Sequence, residues 1–433
     1  MGGGLLQLVA YGAQDVYLTG NPQITFFKVA YRRHTNFALE AIEQTFNGNP
    51  GFGQRVTCQI SRNGDLINRM YLQVKGLKGT NYYNFFGLRL LNYVEIEIGG
   101  QRIDKHYSHW LYVWNELSLP KSKRHGYNEM VGAYGGGTIT DKTLYIPLEF
   151  WFCRNVGLAL PLIALQYHEV KVNINFESRD KCMNGTTDGD TFTASLWVDY
   201  IYLDTDERRR FAQLSHEYLI EQLQFTGEES ISSANIKPKL NFNHPCKELI
   251  WFISNNSGAN WFNYTTSSAE LGADAGSAAK ENRDSYDELY NNNNASTTNI
   301  SLMQTNINYD NSKTAANRLP FNPIKSAKLV LNGNDRFAER PGRYFNIIQP
   351  YQHHENIPSN AGINVYSFAI KPEEHQPSGT LNMSRIDTAV LNLTLETPVG
   401  SNYTLISYNL YVYAVNYNVL RILSGMGGLA YSN

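Results

Sequence analysis

Alternation of apolar and polar residues with a period of two is the feature that most constrains how this chain can fold. It runs through residues 70–75, 94–98, 170–176 and 390–395. Successive side chains of a β-strand point to opposite faces of the sheet, so this period indicates strands with one buried face. Gly99-Gly100, directly after the second run, predicts a tight turn because glycine adopts positive φ at little cost. The pattern therefore predicts an antiparallel, all-β protein.

Two domains of similar size fit this chain better than one or three. Its 433 residues exceed what one ordinary hydrophobic core requires. A strand-like run ends in the charged stretch 204–210, after which the alternation resumes. We therefore predict a β domain over residues 26–210 and a second over residues 211–433, following an N-terminal segment of residues 1–25.

A weak internal echo links the two halves. Residues 94–105 predict strand, glycine turn and strand, and a helix follows from about His109 to Leu117. Residues 328–337 repeat that order, and residues 343–348 are a second helix candidate. The echo predicts two copies of one antiparallel barrel or sandwich, the class to which jelly rolls belong. We expect the first helix to be a loop helix that caps its barrel.

A long polar stretch, residues 255–317, interrupts the strand candidates of the second half. Small and polar residues dominate it, so it offers few side chains that could anchor a sheet. We predict a long outward loop whose three neighbouring aromatics, Trp261, Phe262 and Tyr264, pack back onto the barrel.

The charge balance argues against direct binding of nucleic acid. Lys and Arg number 37 and Asp and Glu number 39, a net charge of −2, whereas proteins that bind phosphate backbones usually carry a basic face. The short clusters Arg32-Arg33 and Arg208-Arg209-Arg210 are interpreted as solvated or ion-paired surface. The apolar stretch 5–10 is too short for a signal peptide or a membrane span.

Cysteine usage indicates a reducing compartment. Cys58, Cys153, Cys182 and Cys246 lie far apart without a CxxC pair, which argues against a zinc knuckle and a disulfide scaffold. Assembly in the cytosol is the natural inference.

No catalytic or cofactor-binding constellation stands out, so we predict neither enzymatic activity nor a cofactor. A P-loop motif is absent, and the glycines near residue 425 do not open a dinucleotide-binding unit. Histidines pair at His106/His109 and His353/His354, but without the spacing of a metal site. Asp65, Asp104 and Asp199 are explained by solvation or capping. A carbohydrate-binding jelly-roll module of a virus surface is the alternative function.

Specific sequence blocks resemble the major capsid proteins of large double-stranded DNA viruses of algae and amoebae. They span both halves in order: QLVAYGAQDVYLTGNPQITFFK at 7–28, YRRHTNF at 31–37, IGGQRID at 98–104, IPLEFWFCRN at 146–155, LALPLIALQYH at 158–168, QPSGTLNMSRID at 376–387 and YNVLRILSGMGGLAY at 417–431. The resemblance covers essentially the whole chain apart from the Asn-rich stretch.

The resemblance implies a double jelly roll of two consecutive eight-stranded antiparallel barrels with short loop helices. It also implies homotrimeric, pseudo-hexagonal capsomers that contact neighbouring capsomers and tile an icosahedral shell. Residues 1–25 would face the capsid interior, near minor capsid proteins and an inner membrane. The protein would reside in the virion after assembly in the host cytoplasm.

Eight Asn-x-Ser/Thr sequons are candidates for glycan attachment on outer loops. One is Asn184, and the other seven lie in the second half: Asn255, Asn263, Asn294, Asn299, Asn382, Asn392 and Asn402. Asn402 lies in a predicted turn and is expected to be the most exposed. A chain made in the cytosol does not meet the secretory glycosylation machinery, so empty sequons are the alternative.

Overall fold

The computed structural model describes residues 3–80, 82–134, 138–183, 192–254, 261–265, 322–395 and 408–431. The chain forms two compact units, Met1–Phe37 and Ala38–Asn433. The first unit contains two short helices, α1 (Gly3–Val9) and α2 (Val16–Thr19), and neither buries a residue. The second unit carries the sheets.

The first half of the large unit forms two antiparallel sheets. Its strands are β1 (Phe37–Gln44), β2 (Arg55–Gln59), β3 (Leu66–Thr80), β4 (Leu91–Ile98), β5 (Gln101–Tyr107), β6 (Thr138–Pro147), β7 (Leu160–Pro161), β8 (Val170–Phe176) and β9 (Thr193–Leu203). Sheet A has the order β1-β9-β3-β6, with β7 beside β3, and sheet B has the order β2-β8-β4-β5.

The second half repeats this arrangement. Its strands are β10 (His216–Phe225), β11 (Glu229–Ser230), β12 (Asn235–Ile236), β13 (Pro245–Ser254), β14 (Ile324–Leu331), β15 (Asn334–Asp335), β16 (Arg340–Pro341), β17 (Asn364–Ser367), β18 (Leu381–Asn382), β19 (Ala389–Leu395), β20 (Asn409–Leu423) and β21 (Met426–Leu429). Sheet C has the order β10-β20-β13-β17 and sheet D the order β12-β19-β14-β15, with the other short strands alongside.

The two halves share one topology. When the short flanking strands β7, β11, β16, β18 and β21 are left out, sheets A and C both follow the order first, eighth, third, sixth, and sheets B and D both follow second, seventh, fourth, fifth. This repeated order explains the internal echo in the sequence. It is the order of two jelly rolls in one chain.

Short helices connect and flank the strands. They are α3 (Phe86–Leu90), α4 (Ser108–Ser118), α5 (Lys121–Val131), α6 (Trp151–Arg154), α7 (Arg179–Cys182), α8 (Thr205–Gln213) and α9 (Gln349–His353), with a π-helical turn at Tyr344–Ile348 and 3₁₀ turns at Val156–Leu158 and Met383–Arg385. Helix α4 matches the predicted helix from His109 to Leu117. Helix α8, which the Asp204 carboxylate caps by accepting from Thr205 N at 2.8 Å, connects the two halves through the charged stretch 204–210.

Strand β19 shows the predicted alternation, but β13 of sheet C does not. In β19, Ala389, Leu391, Leu393 and Leu395 are buried and the residues between them are half-exposed. By contrast, β13 is buried at every position after Pro245. On this strand Leu249, Trp251 and Ile253 belong to the core of the second barrel, whereas Ile250 and Phe252 belong to the core cluster of the first. Sheet C is therefore covered on both faces.

Candidate assembly interface

Helix α4 of the first barrel packs on the outward face of sheet C. The ring of His109 lies 5.4 Å from that of Phe252 on β13 and 4.9 Å from that of Tyr411 on β20, measured between centroids. The ring centroids of Trp110 and Tyr413 are 5.6 Å apart. Residues 108–117 of this helix are all buried. Aromatic side chains bury large apolar areas, so this contact is a major source of cohesion between the barrels.

Residues 261–265 are inserted into this junction. Trp261 stacks on His109 at 5.3 Å, Phe262 stacks on Tyr112 at 4.7 Å, and the Tyr264 hydroxyl lies 2.7 Å from His109 Nδ1. The three aromatics are 6%, 6% and 1% exposed. Trp261, Phe262 and Tyr264 thus pack back onto the protein as the sequence suggested. The rest of the predicted loop 255–317 lies outside the described residues.

Hydrogen bonds fix the end of α4 to the second barrel. The Glu116 carboxylate accepts from the Ser359 backbone N–H at 3.0 Å and from its hydroxyl at 2.6 Å. The backbone N–H of Asn356 donates to Leu117 O at 3.0 Å. The C-terminal carbonyls of a helix need such partners, and here the neighbouring barrel supplies them.

A buried carboxylate joins the adjacent strands β5 and β10. Asp104 Oδ1 accepts from Leu223 N at 3.0 Å, and its Oδ2 lies 2.9 Å from His106 Nε2. Asp104 is 4% exposed, so of the two explanations offered for it, solvation and capping, solvation is wrong. It accepts a backbone donor of the second barrel.

Glu221 on β10 is the centre of a buried ion-pair network between the barrels. Its carboxylate lies 2.7 Å from Lys247 Nζ on β13 and 3.1 Å from Arg154 Nη2 at the end of α6 in the first barrel. Burial alone would raise the pKa of Glu221, but Arg154, His375 and Lys247 outweigh it and hold this pKa at about 2. The carboxylate therefore stays ionised and bridges two cations from different barrels.

A second buried network lies beside it in the second barrel. His354 Nε2 is 2.8 Å from Glu248 Oε2, and its Nδ1 is 2.7 Å from Glu373 Oε1. Burial would lower the pKa of His354, but Glu248 and Glu373 outweigh it and raise this pKa to about 9. The imidazole is therefore a cation at neutral pH and satisfies two carboxylates.

Sequence reasoning missed both networks, although a signal was present. Lys247 and Glu248 open the run KELIWFI at 247–253, and two charges at the start of a strand that is otherwise fully apolar are a cue for buried pairing. Their partners Glu221 and His354 are remote in sequence, so no local pattern could have identified them.

The described sequons differ in their settings. Asn382 is exposed, and its side-chain oxygen accepts from Ser384 N at 3.1 Å. Asn392 is half-buried on β19 opposite Lys328 of β14. Asn263 is half-buried between the buried aromatics of the junction, and its side-chain oxygen accepts from Thr265. Asn184, Asn255, Asn294, Asn299 and Asn402 lie outside the described residues.

The remaining candidate residues take structural positions. His353 Nδ1 lies 2.9 Å from Ile370 O, and Arg208 pairs with Asp65 at 3.0 Å. Among the described residues, no group of three or more His, Cys, Asp or Glu is arranged to hold a metal ion. The four cysteines are free thiols. In the part of the chain that the structure describes, no helix has the length and hydrophobicity to cross a bilayer.

Comparisons with known proteins match this architecture. Residues 25–204 match the family described as "Major capsid protein N-terminus", and residues 207–428 match "Large eukaryotic DNA virus major capsid protein". The chain is 51% identical to the major capsid protein of Pyramimonas orientalis virus and 47% identical to that of Paramecium bursaria Chlorella virus 1, each match covering 100% of both proteins.

Solved structures agree with the sequence matches. The crystal structure of VP54 from PBCV-1 superposes with a TM-score of 0.77 at 42% identity, covering 94% of this chain and 100% of that one. The Faustovirus major capsid protein shares the fold at 12% identity, with a TM-score of 0.68 over 95% of this chain and 94% of that one. The predicted double jelly roll is confirmed. The chain belongs to the major capsid protein family of large eukaryotic DNA viruses, and its function is that of a structural capsid protein.

Proposed function

We propose that this capsid protein assembles as a homotrimer of pseudo-hexagonal outline and that these trimers tile an icosahedral shell. The observation that supports it is the pair of barrels with identical strand order in one chain. Three such chains supply six similar barrels around a threefold axis, and six similar edges allow trimers to pack against one another in a plane.

Light scattering and negative-stain imaging of the purified full-length protein test this proposal. The expected particle has three times the 49.1 kDa mass of the chain and a hexagonal outline. A protein that stays monomeric across micromolar concentrations would contradict the trimer.

We place the domain boundary at residues 210/211, within helix α8. Support comes from the position of α8 between β9 and β10, and from the two family matches, which end and begin at residues 204 and 207. A protease site inserted after Leu214, which is 62% exposed, should give two fragments that stay associated until denaturant is added. Fragments that separate under native conditions would contradict a shared core.

Residues 1–25 are proposed to face the capsid interior, towards minor capsid proteins and an inner membrane. The supporting observation is their exposed apolar surface, including Tyr17 (92%), Leu18 (85%) and Ile24 (70%). Deletion of residues 1–25 should leave trimer formation unchanged and reduce flotation of the protein with liposomes. Equal flotation of the two proteins would exclude the membrane contact.

We further propose that the protein assembles in the host cytoplasm. We propose that it has no catalytic activity, no bound metal and no direct contact with nucleic acid. Burial raises the pKa of the Cys58 and Cys182 thiols to about 12, which keeps both protonated and unreactive. Four free thiols and no stoichiometric metal in virion-derived protein are the expected analytical results.

Of the described sequons, exposed Asn382 is the first candidate for a glycan, and an intact mass equal to the sequence mass would rule out modification.

A further inference from the structure

The two barrels differ in what covers their equivalent helices. In the first barrel, α4 lies between the fifth and sixth strands of the shared topology and is buried by the second barrel. In the second barrel, the π-turn 344–348 and α9 occupy the same place between β15 and β17. Here Ile347, Ile348 and Tyr351 are 42%, 44% and 76% exposed. We call these three side chains the open helix surface.

The equivalent sheets differ in the same way. Sheet C turns Ile250 and Phe252 of its third strand, and Tyr411 and Tyr413 of its eighth, towards α4. Sheet A has the same strand order, and its outward residues alternate with Leu72, Leu144 and Leu196, which are fully buried. The outward aromatics are Tyr71 on the third strand, Tyr145 on the sixth and Trp197 on the eighth; we call them the open sheet face.

The open sheet face is an ordered aromatic platform. Tyr71 stacks on Trp197 at 6.2 Å with an interplanar angle of 5°, and Tyr145 meets Tyr71 edge-on at 6.0 Å. Trp197 Nε1 donates to Gln73 Oε1 at 2.8 Å. Tyr71 and Trp197 are half-buried, and Tyr145 is 38% exposed. Tyrosine and tryptophan are enriched on surfaces that become buried on binding.

We propose that the open helix surface of one chain packs on the open sheet face of a second copy of this chain. This contact would repeat between chains the contact that α4 makes with sheet C within one chain. Helix surface and sheet face lie on different barrels, so the contact is head-to-tail and leaves a free copy of each surface after two chains join. A third chain closes the ring.

The proposal rests on the proposed homotrimer and adds which surfaces form its interface. A second copy of this chain is the expected partner, because α4 and sheet C already form such a contact between a helix and a sheet face within one chain. A ring of six barrels then has a single type of contact, made three times within chains and three times between them.

Site-specific photo-crosslinking tests the assignment in the full-length protein. The photoreactive residue p-benzoylphenylalanine replaces Tyr351, whose side chain is 76% exposed in the single chain. We expect a covalent dimer on denaturing gels, with crosslinked peptides from residues 66–75, 138–147 or 193–203. Crosslinks confined to peptides of the second barrel, or the absence of a covalent dimer from trimeric protein, would overturn the assignment.

Charge substitutions provide an independent test. Tyr351→Glu and Trp197→Glu should each raise the dissociation constant of the trimer at least about thirtyfold, because each places a charge in a desolvated contact. Val156→Glu, at a first-barrel position that is 63% exposed, is the matched control and should stay trimeric. Far-UV circular dichroism verifies that each variant is folded.

These experiments distinguish failure of the proposed trimer from failure of the proposed interface. If the unmodified protein is not trimeric, the proposed trimer fails regardless of the variants. If it is trimeric and folded Tyr351→Glu and Trp197→Glu proteins are trimeric as well, the trimer stands and the assignment of its surfaces is wrong.

Discussion

The outward faces of sheets A and C belong to sheets with the same strand order but differ in how far they are covered within one chain. The face of sheet C presents Ile250, Phe252 and Tyr413, which are fully buried under the first barrel. The face of sheet A presents Tyr71, Tyr145 and Trp197, which retain contact with solvent in the single chain. One face is covered as soon as the chain folds, whereas the other stays open until a partner arrives.

Tyrosines lie on both faces, but of the two third strands only β13, on the covered face, also turns large side chains without a polar atom outward. A face that closes during folding can include side chains without a polar atom, such as Ile250 and Phe252, beside tyrosines such as Tyr413. A face that waits for assembly must be compatible with water, and tyrosine and tryptophan combine a large apolar area with a polar atom. The pairing of Trp197 with Gln73 shows this on sheet A.

The largest expected effect comes from truncating the covered face. Phe252→Ala should lower the free energy of unfolding by about 3–5 kcal/mol, because the ring is fully buried and stacks on Tyr264 at 4.0 Å. In urea denaturation this loss should be independent of protein concentration. The loss from the matched variant Trp197→Ala should grow with concentration, since the proposed trimer buries the part of its ring that is exposed in the single chain. Equal concentration dependence would remove the distinction between the faces.

Charge removal in the covered junction should be nearly as costly. Glu221→Gln is expected to destabilise the protein by about 3–5 kcal/mol, because it leaves Lys247 and Arg154 buried without their anion. The control is Glu217→Gln on the same strand, whose pair with Arg421 is exposed, with an expected cost of about 0.5 kcal/mol or less. Similar losses for both variants would show that Glu221 does not hold the barrels together.

The covered region should also carry a pH response. The pKa of His354 is raised from 6.5 to about 9, so its contribution is fully present below pH 6.5 and is lost as the pH rises through 9. We expect the protein to lose about 2–3 kcal/mol across this window. In His354→Gln the loss should be smaller, whereas exposed His125→Gln should behave like the unmodified protein. If the melting temperatures of all three proteins fell equally as the pH rises from 6.5 to 9, this prediction would be contradicted.

Removing one hydroxyl from the junction should have a moderate effect. Tyr264→Phe deletes the hydrogen bond to His109 at 2.7 Å within a buried environment, so a loss of about 1–2 kcal/mol is expected. Tyr351→Phe removes a hydroxyl from the open helix surface and should leave the chain's stability unchanged. Thermal denaturation of both variants at one concentration provides the measurement, and equal shifts would count against the prediction.

The smallest effect is expected from shortening the polar stretch. Replacing residues 269–314 with a short Gly-Ser linker retains the buried aromatics 261–265 and should change stability by less than about 1 kcal/mol, because loop-closure entropy depends weakly on length. Trimer mass by light scattering should be unchanged. Failure to fold or to trimerise would place these residues in the core or the interface.

Strands with one covered face show the period of two, whereas β13, with both faces covered, does not. Alternation identified β8 and β19 because each has a solvent side. The internal echo paired the helix at 109–117 with the candidate at 343–348, and the shared topology confirms this pairing. Period two reveals that a strand has a buried face but not what covers it, so the burial of Phe252 by a distant helix could not be deduced. The networks of Glu221 and His354 required the same long-range information.

Strand β20 makes completion of synthesis a condition for joining the two barrels. It lies between β10 and β13 in sheet C, and its alternate residues join the cores of both barrels, Val412 and Ala414 on one side and Tyr411 and Tyr413 on the other. A ribosome reaches it only after nearly all other strands have been made. A chain that stops before Asn409 lacks the centre of this sheet and leaves α4 without its platform. A truncated product is therefore expected not to form the junction between the barrels.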